Sequence, residues 1–180
     1  QPAVLAEDGT DITALVALVR DGTDAQKEEA AGALKVLARI ADNRILIAEA
    51  GGIPPLVALV RDGTDAQKAS AADALGNLAH SCADNKVAIA KAGGIPPLVA
   101  LVRDGTDEQK ASAAAALRSL AMCDDNQIPI AQAGGIPPLV ALARDGIAVQ
   151  KEFAADALRW LAFNADNKVA IAEAKREAGI

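Results

Sequence analysis

One segment of this sequence recurs four times at nearly constant spacing. Three full copies occupy residues 51–68, 93–110 and 134–151 and a shortened one occupies 14–27, reading GGIPPLVALVRDGTDAQK, GGIPPLVALVRDGTDEQK, GGIPPLVALARDGIAVQK and ALVALVRDGTDAQK. One leucine in each copy marks the register, with steps of 41, 42 and 41 residues: Leu15, Leu56, Leu98 and Leu139. A period of this length is typical of stacked helical units, because a single unit cannot bury its own apolar face.

Each unit reads as three helices. A short helix is predicted after Asp-Asn over residues 84–92, with an Asx cap, and the following Gly-Gly fits a left-handed helix end. The second helix opens with Pro54-Pro55, which the first turn tolerates because it has no intrahelical N–H bonds to lose, and it ends at 61–63. The third opens with a capping box at 64–67 and runs to about His80.

Composition and charge restrict the function classes. Apolar residues make up 52% of the 180 and aromatic residues only 2%, which favours helices packed on small side chains over a sheet. The formal charge of −6 makes binding to a phosphate backbone unfavourable, so no nucleic-acid partner is expected. No apolar run reaches the ~18 residues of a membrane helix, and no leader-like segment appears, so a cytoplasmic or nuclear protein is expected. Because the chain begins with Gln1 and not Met, we expect an excised or processed segment.

The pattern of a short helix, Gly-Gly, a proline-started helix and a long third helix ending A-L-x-x-L-A resembles armadillo repeats over residues 12–174. The resemblance implies an all-α fold, a right-handed α-solenoid with three helices per repeat, whose third helices line a concave groove. It also implies binding of an extended peptide or protein segment there, with no catalysis and no cofactor. The predicted divisions are a degenerate half-unit, four repeats and a tail: 1–11, 12–50, 51–92, 93–133, 134–174 and 175–180.

The two ends differ from the middle. Residues 1–11 read as a worn version of the short helix and its turn. At the other end, residues 174–178 replace the Gly-Gly-Ile-Pro-Pro break, so we expect the last helix to run on and cover the exposed face of the fourth unit.

The inward face of the third helix barely changes between units. On a helical wheel of the last unit, at about 100° per residue, one side collects Ala154, Ala155, Leu158, Leu161 and Ala162. The second unit has nearly identical counterparts: Ala71, Ala72, Leu75, Leu78 and Ala79. These positions are therefore predicted to form the shared core.

The opposite side of the third helix changes chemistry from unit to unit, which favours a surface that faces solvent or a partner. We call these predicted groove residues the variable stripe. Its members are Glu29, Val36, Arg39, Ser70, Asp73, Asn77, His80, Ser112, Ser119, Met122, Val149, Phe153, Asp156, Trp160 and Phe163. Because Asp73 and Asp156 belong to this stripe, a basic side chain of a partner could pair with them. However, Lys35, Arg118 and Arg159 flank the stripe, and such charges are commonly just solvated.

Armadillo proteins of the importin-α type carry a tryptophan and, four residues later, an asparagine on each third helix. The tryptophan positions here are Gly32, Asp73, Ala115 and Asp156, so that array is absent. The asparagine positions are Val36, Asn77, Ser119 and Trp160, and only Asn77 fits. Recognition of nuclear-localisation signals in that manner is therefore not expected, and a different partner remains open.

All the aromatic residues of the chain lie in one segment: Phe153, Trp160 and Phe163. One interpretation is that these rings fold against neighbouring helices or the C-terminal tail. The interpretation we favour is a partner-binding patch, with an apolar anchor docking among Met122, Trp160 and Phe163, because clustered aromatic residues concentrate interface energy. An alternative of another class is an engineered or consensus-like structural array whose aromatic patch mediates self-association.

Other candidate sites have simpler explanations. One His and two Cys spread over two units do not match the paired spacing of structural zinc, so no metal is predicted at His80, Cys82 and Cys123. The two cysteines are expected to be reduced. The Arg-Asp-Gly-Thr-Asp segments lack the ligand pattern of a calcium loop, and no nucleophile motif appears, so no enzymatic activity is predicted.

Overall fold

The computed structural model describes residues 3–180, which contain 12 α-helices. They are α1 (Ile12–Asp21), α2 (Asp24–Leu37), α3 (Ala41–Glu49), α4 (Ile53–Asp62), α5 (Asp65–Ala79), α6 (Ala83–Lys91), α7 (Ile95–Asp104), α8 (Asp107–Ala121), α9 (Asp124–Gln132), α10 (Ile136–Asp145), α11 (Ala148–Leu161) and α12 (Ala165–Glu177). Taken in threes they form four units, and each unit runs second helix, third helix, short helix. The third helices α2, α5, α8 and α11 pack side by side in that order.

The predicted helix boundaries are largely confirmed. The hydroxyl of Thr106 accepts a hydrogen bond from the backbone N–H of Gln109, whose side-chain oxygen in turn accepts one from the Thr106 N–H. Ile147 has no hydroxyl, and only the second bond of the box survives there, from its N–H to Gln150 at 3.0 Å. Gly51, Gly93 and Gly134 take φ values of 77°, 76° and 75°, which end the short helices in the left-handed conformation.

The predicted Asx cap of the short helix is wrong. Helix α6 begins at Ala83 with Cys82 as its N-cap and no side-chain capping bond. Asn85 is buried inside the first turn instead, where its amide donates to the carbonyls of Leu78 and Arg44 at 3.0 and 3.2 Å. This asparagine therefore ties its helix to the third helix of its own unit and to the short helix of the preceding one.

The core lies between the three layers of helices and is continuous along the array. The five inward positions of α5 are fully buried, as predicted: Ala71, Ala72, Leu75, Leu78 and Ala79. In the last unit Ala155 is exposed and Ala162 is half-buried, because within residues 3–180 no further third helix packs against this edge of α11. The predicted core assignment is therefore wrong for Ala155 and confirmed for Ala154, Leu158 and Leu161.

A glutamine in each of the last three units bonds to the unit before it. The side-chain amide of Gln67 donates to the backbone carbonyl of Asp24 at 2.9 Å, and Gln150 donates likewise to Asp107 at 2.8 Å. Gln109 donates to both the carbonyl and the carboxylate of Asp65, at 3.1 and 3.0 Å. These bonds set the position of each third helix relative to the previous one.

At the two ends of the array, the second helices α1 and α10 are covered in two different ways. The expected worn helix is not formed in residues 3–11, which make a turn closed by a bridge between Leu5 and Asp11; Gln1 and Pro2 lie outside the described residues. The predicted extension of the last helix is confirmed, since α12 has 13 residues where α9 has nine, and it packs on α10. There Arg144 donates to the carbonyl of Ala178 at 2.6 Å. Its hydrogen bond to Asp145 lowers the pKa of that carboxyl. The predicted covering of the fourth unit is wrong for α11, where Ala155 remains exposed.

The one-residue insertion in the second unit produces the only positive φ of a non-glycine residue between residues 3 and 180, at Ser81 with 55°. A residue with a Cβ pays about 1 kcal/mol or more for this conformation. We expect Ser81→Gly to raise the free energy of unfolding by about 1 kcal/mol and Ser81→Val to lower it, because a β-branched side chain fits this region worst. Urea denaturation of the two variants beside the parent measures both shifts, and a glycine variant less stable than the parent would contradict the assignment.

Within residues 3–180, no single helix is long and apolar enough to cross a membrane; α3 and α4 meet that criterion only as a pair bent by 86°.

Candidate functional site

The variable stripe lies along the four third helices, and most of its side chains are accessible. Seven members are exposed: Glu29, Val36, Arg39, His80, Met122, Val149 and Phe163. Six are half-buried: Ser70, Asp73, Asn77, Phe153, Asp156 and Trp160. The remaining two, Ser112 and Ser119, are buried, at 5% and 3% exposure. Their place on an open groove surface was wrongly predicted, because α8 lies between α5 and α11 and so short a side chain does not reach past those neighbours.

Two of the three aromatic residues, Trp160 and Phe163, are in contact at the C-terminal end of the stripe, and Phe153 lies about two turns earlier on α11. We call these three residues the aromatic cluster. The rings of Trp160 and Phe163 stack with centroids 5.5 Å apart and planes 27° from parallel. Trp160 packs on the core with part of its surface, whereas Phe163 is 72% exposed. The indole of Trp160 is therefore partly exposed, and Phe163 is the most exposed ring of the cluster.

Two arginines border these rings. The guanidinium carbon of Arg118 lies 4.8 Å from the centroid of Phe153, and that of Arg159 lies 6.0 Å from the centroid of Trp160. Both distances fall within the range of cation–π attraction. The cluster thus combines apolar ring surface with two cations held against it.

The acidic residues of the stripe already have partners within the chain. Asp73 pairs with Lys35 at 2.7 Å, and Asp156 pairs with Arg159 at 3.1 Å and more loosely with Arg118 at 3.9 Å. A cation from another molecule would have to compete with these pairs. The sequence contains a signal for the two pairs that join neighbouring units. Asp73 follows Lys35 by 38 residues and Asp156 follows Arg118 by the same number, which is three residues short of the 41-residue repeat.

Asn77, the single match to the asparagine pattern of the importin-α type, is also engaged. Its amide donates to the backbone carbonyl of Lys35 at 2.9 Å. That bond joins α5 to α2 and occupies a donor that a bound peptide backbone would need. The structural role of this side chain was not evident from the sequence.

No other constellation in residues 3–180 suggests chemistry. No group of three or more His, Cys, Asp or Glu side chains in that range is arranged to hold a metal ion, and Cys82 and Cys123 are not disulfide-bonded. A cleft of about 620 Å³ lies between α6 and α9, lined mainly by Val87, Ala90 and Pro129. It lies apart from the variable stripe, none of whose members lines it.

These features define a helical-repeat scaffold: an α-solenoid with a constant core and a side-chain stripe that varies from unit to unit. A family model of the Armadillo/beta-catenin-like repeat matches residues 41–80 and 82–122. A crystal structure of an engineered protein from the Northeast Structural Genomics Consortium superposes with a TM-score of 0.86 at 32% identity, covering 92% of this chain and 68% of that one. The chain belongs to the armadillo repeat family, and its fold is the right-handed armadillo superhelix.

Two further solved structures are designed proteins of the same family. A designed armadillo repeat protein in complex with the peptide (KR)4 has a TM-score of 0.83 at 28% identity, covering 91% of this chain and 70% of that one. Computationally designed armadillo repeat proteins for modular peptide recognition give 0.84 at 26% identity, with coverage of 91% and 70%. A search of curated proteins finds no match.

Proposed function

We propose that this chain is a non-enzymatic scaffold that binds an extended peptide or protein segment along the groove formed by α2, α5, α8 and α11. The observation that carries the proposal is the contrast within the third helices. A core edge that barely changes is joined to an edge whose chemistry differs from unit to unit, and this second edge is accessible on α2, α5 and α11. A rigid array of this kind pre-organises its contacts, so little conformational entropy is lost by the protein on binding. The similarity to designed armadillo repeat proteins made for modular peptide recognition supports a peptide partner for this chain.

The partner's main contact is an apolar side chain on the aromatic cluster. Aromatic side chains are among the residues that most often dominate interface energy. Met122, which is 39% exposed, holds the position just after α8 that Phe163 holds after α11. The relative bound to (KR)4 takes a basic peptide. In this chain Asp73 and Asp156 are paired with the chain's own cations, so we expect an apolar anchor to contribute more than basic residues do.

A second candidate function is self-association through the same cluster. It is favoured by the 72% exposure of Phe163 beside the partly exposed ring of Trp160, since adjoining exposed apolar side chains often mark a contact with another molecule. In that case two molecules would bury their clusters against each other and form a closed dimer, whereas groove binding leaves the chain monomeric until a peptide is added.

We expect Trp160→Ala to weaken peptide binding by about 2 kcal/mol, or roughly thirtyfold in Kd, because it removes the ring that supports Phe163 as well as its own contact area. Peptides are first selected from an unbiased library on the parent and then titrated against both proteins by fluorescence polarisation. Ile147→Ala is the matched control, because Ile147 is 53% exposed and lies outside the stripe. Equal affinity of the parent and the Trp160 variant for every selected peptide would contradict the assignment.

A further inference from the structure

The layer of third helices is open at both ends of the array. Residues 3–11 bond to α1, through Val4 with Ile12 and Thr13, and α12 packs on α10. Neither segment is placed to cover the outer edges of α2 and α11, where Val36 is 59% exposed and Ala155 is also exposed. The residues equivalent to Ala155 in the inner units, Ala72 and Ala114, are fully buried. Each end therefore displays a surface that the inner units bury against one another.

The inner junctions show which residues meet when two units stack. Lys35 reaches forward to Asp73 of the next unit, and its equivalent Arg118 reaches both Asp156 and the ring of Phe153. Arg159 occupies the same position on α11, where it pairs with Asp156 of its own helix at 3.1 Å while its side chain stays 67% exposed. If another first unit stacked there in the same register, Arg159 would meet the residues equivalent to Phe153 and Asp156, which are Glu29 and Gly32.

We propose that this chain associates end to end, with α11 of one molecule packed against α2 of a second copy in the register of the inner junctions. Charge complementarity supports this occupant. In the inner junction Arg118 lies 4.8 Å from the ring of Phe153, and Glu29 is the repeat equivalent of Phe153, so it would meet Arg159 of the other molecule. The small residues needed for close approach are also present, since Ala155 on α11 of one molecule would face Gly32 and Ala33 on α2 of the second copy. The glutamine bond of the inner junctions would be repeated, with Gln26 donating to the backbone carbonyl of Ala148.

The other charged groups at this junction limit its strength. Glu152 lies two turns before Arg159 on the same edge of α11, at the position of Ala69 and Ala111 in the inner units. It would lie near Glu29 of the second copy and repel it. The outer layers, closed by residues 3–11 and by α12, add little contact, so the interface is small and its affinity low. The contact joins two different surfaces, so association continues beyond a dimer.

Sedimentation velocity over about 5–500 µM tests the proposal on the full chain. We expect the weight-average mass to rise continuously with concentration and to pass that of a dimer. Arg159→Glu should abolish the rise, and the double variant Arg159→Glu/Glu29→Arg, in which the charges are exchanged, should restore it. Glu152→Ala, which copies the inner units, should shift the association to about tenfold lower concentration. Circular dichroism confirms that each variant is folded.

Three results would overturn the proposal. The first is a parent and a Glu152→Ala variant that both remain monomeric throughout the range. The second is a failure of the exchanged-charge variant to associate although it is folded. The third is a mass that stops at a dimer and returns to a monomer in Phe163→Ala, which would assign association to the aromatic cluster. Peptide binding in the groove is measured separately at low micromolar concentration, so either proposal can fail without the other.

Discussion

Gln109→Glu is expected to lower the free energy of unfolding by about 3 kcal/mol at neutral pH. Gln109 is 3% exposed, and its amide donates to the carbonyl and the carboxylate of Asp65 at 3.1 and 3.0 Å. Replacing the amide by a carboxylate turns two hydrogen bonds into two repulsive contacts, and burial limits screening by water. The capping box is not disturbed, because a carboxylate accepts the Thr106 N–H as well as an amide oxygen does.

Gln26→Glu is the matched control. Gln26 has the same capping role with Thr23, but it is exposed and has no preceding unit to which its amide could donate. We expect its free energy of unfolding to change by less than about 0.5 kcal/mol. Urea denaturation of both variants measures the contrast, and equal losses at the two positions would show that the effect comes from the helix start and not from the bond between units.

The loss at position 109 should also depend on pH. The new carboxyl has an unfolded pKa of about 4.3, and the neighbouring Asp65 oxygens raise its pKa in the folded state. The variant's deficit is therefore small below pH ~4, where the protonated carboxyl can donate, and it grows as pH rises through the folded-state pKa. A deficit that stays constant from pH 4 to pH 8 would contradict this electrostatic origin.

The fold could be predicted because it depends on local and repeated signals. The Thr64 capping box, the Pro54-Pro55 start and the Gly93 helix end each act within one or two turns, and repetition shows them several times in register. The failed predictions lie where the repeat ends. Residues 3–11 form a turn, which is sufficient to cover the start of α1. Ala155 is exposed because, within residues 3–180, no further third helix packs on the edge of α11 that buries its equivalents in the inner units.

The candidate site was harder to predict because a helical wheel gives the direction of each side chain but not how deeply that side chain is buried. Ser119 and Trp160 have equivalent positions, yet the serine is buried and the indole is half-exposed, since side-chain length decides which of them reaches the surface. Asp73 and Asn77 both contact Lys35 of the preceding unit. Asp73 forms an ion pair with its side chain, and the amide of Asn77 donates a hydrogen bond to its backbone carbonyl. Such contacts depend on the offset between stacked helices, which a pattern within one helix does not contain.

The same offset explains the single glycine within α5, and Gly76→Leu is expected to destabilise the array by about 3 kcal/mol. A Cβ at Gly76 would lie 3.2 Å from the Cα of Ala116 on α8, tighter than ordinary packing even before the rest of the leucine is added. The equivalent residues in the other units are large, namely Lys35, Arg118 and Arg159. The middle junction is therefore the one at which two third helices approach most closely at this position, and a bulky side chain there would force α5 and α8 apart.

Lys35→Leu serves as the control for Gly76→Leu, because it places the same side chain at the equivalent position of a junction that already accommodates a long one. It removes a partly exposed ion pair with Asp73 and should cost no more than about 1 kcal/mol. In a repeat array, stability is divided between units and the contacts that join them, so weakening the middle junction should also separate unfolding into two phases, one for each half. Guanidinium denaturation followed by circular dichroism, together with hydrogen exchange of α5 and α8, measures both effects. Two results would contradict this explanation. One is a loss of unfolding free energy in Gly76→Leu no larger than that in Lys35→Leu, and the other is a single cooperative transition with an unchanged midpoint. Either would show that α5 and α8 separate without cost and that their close approach does not require glycine.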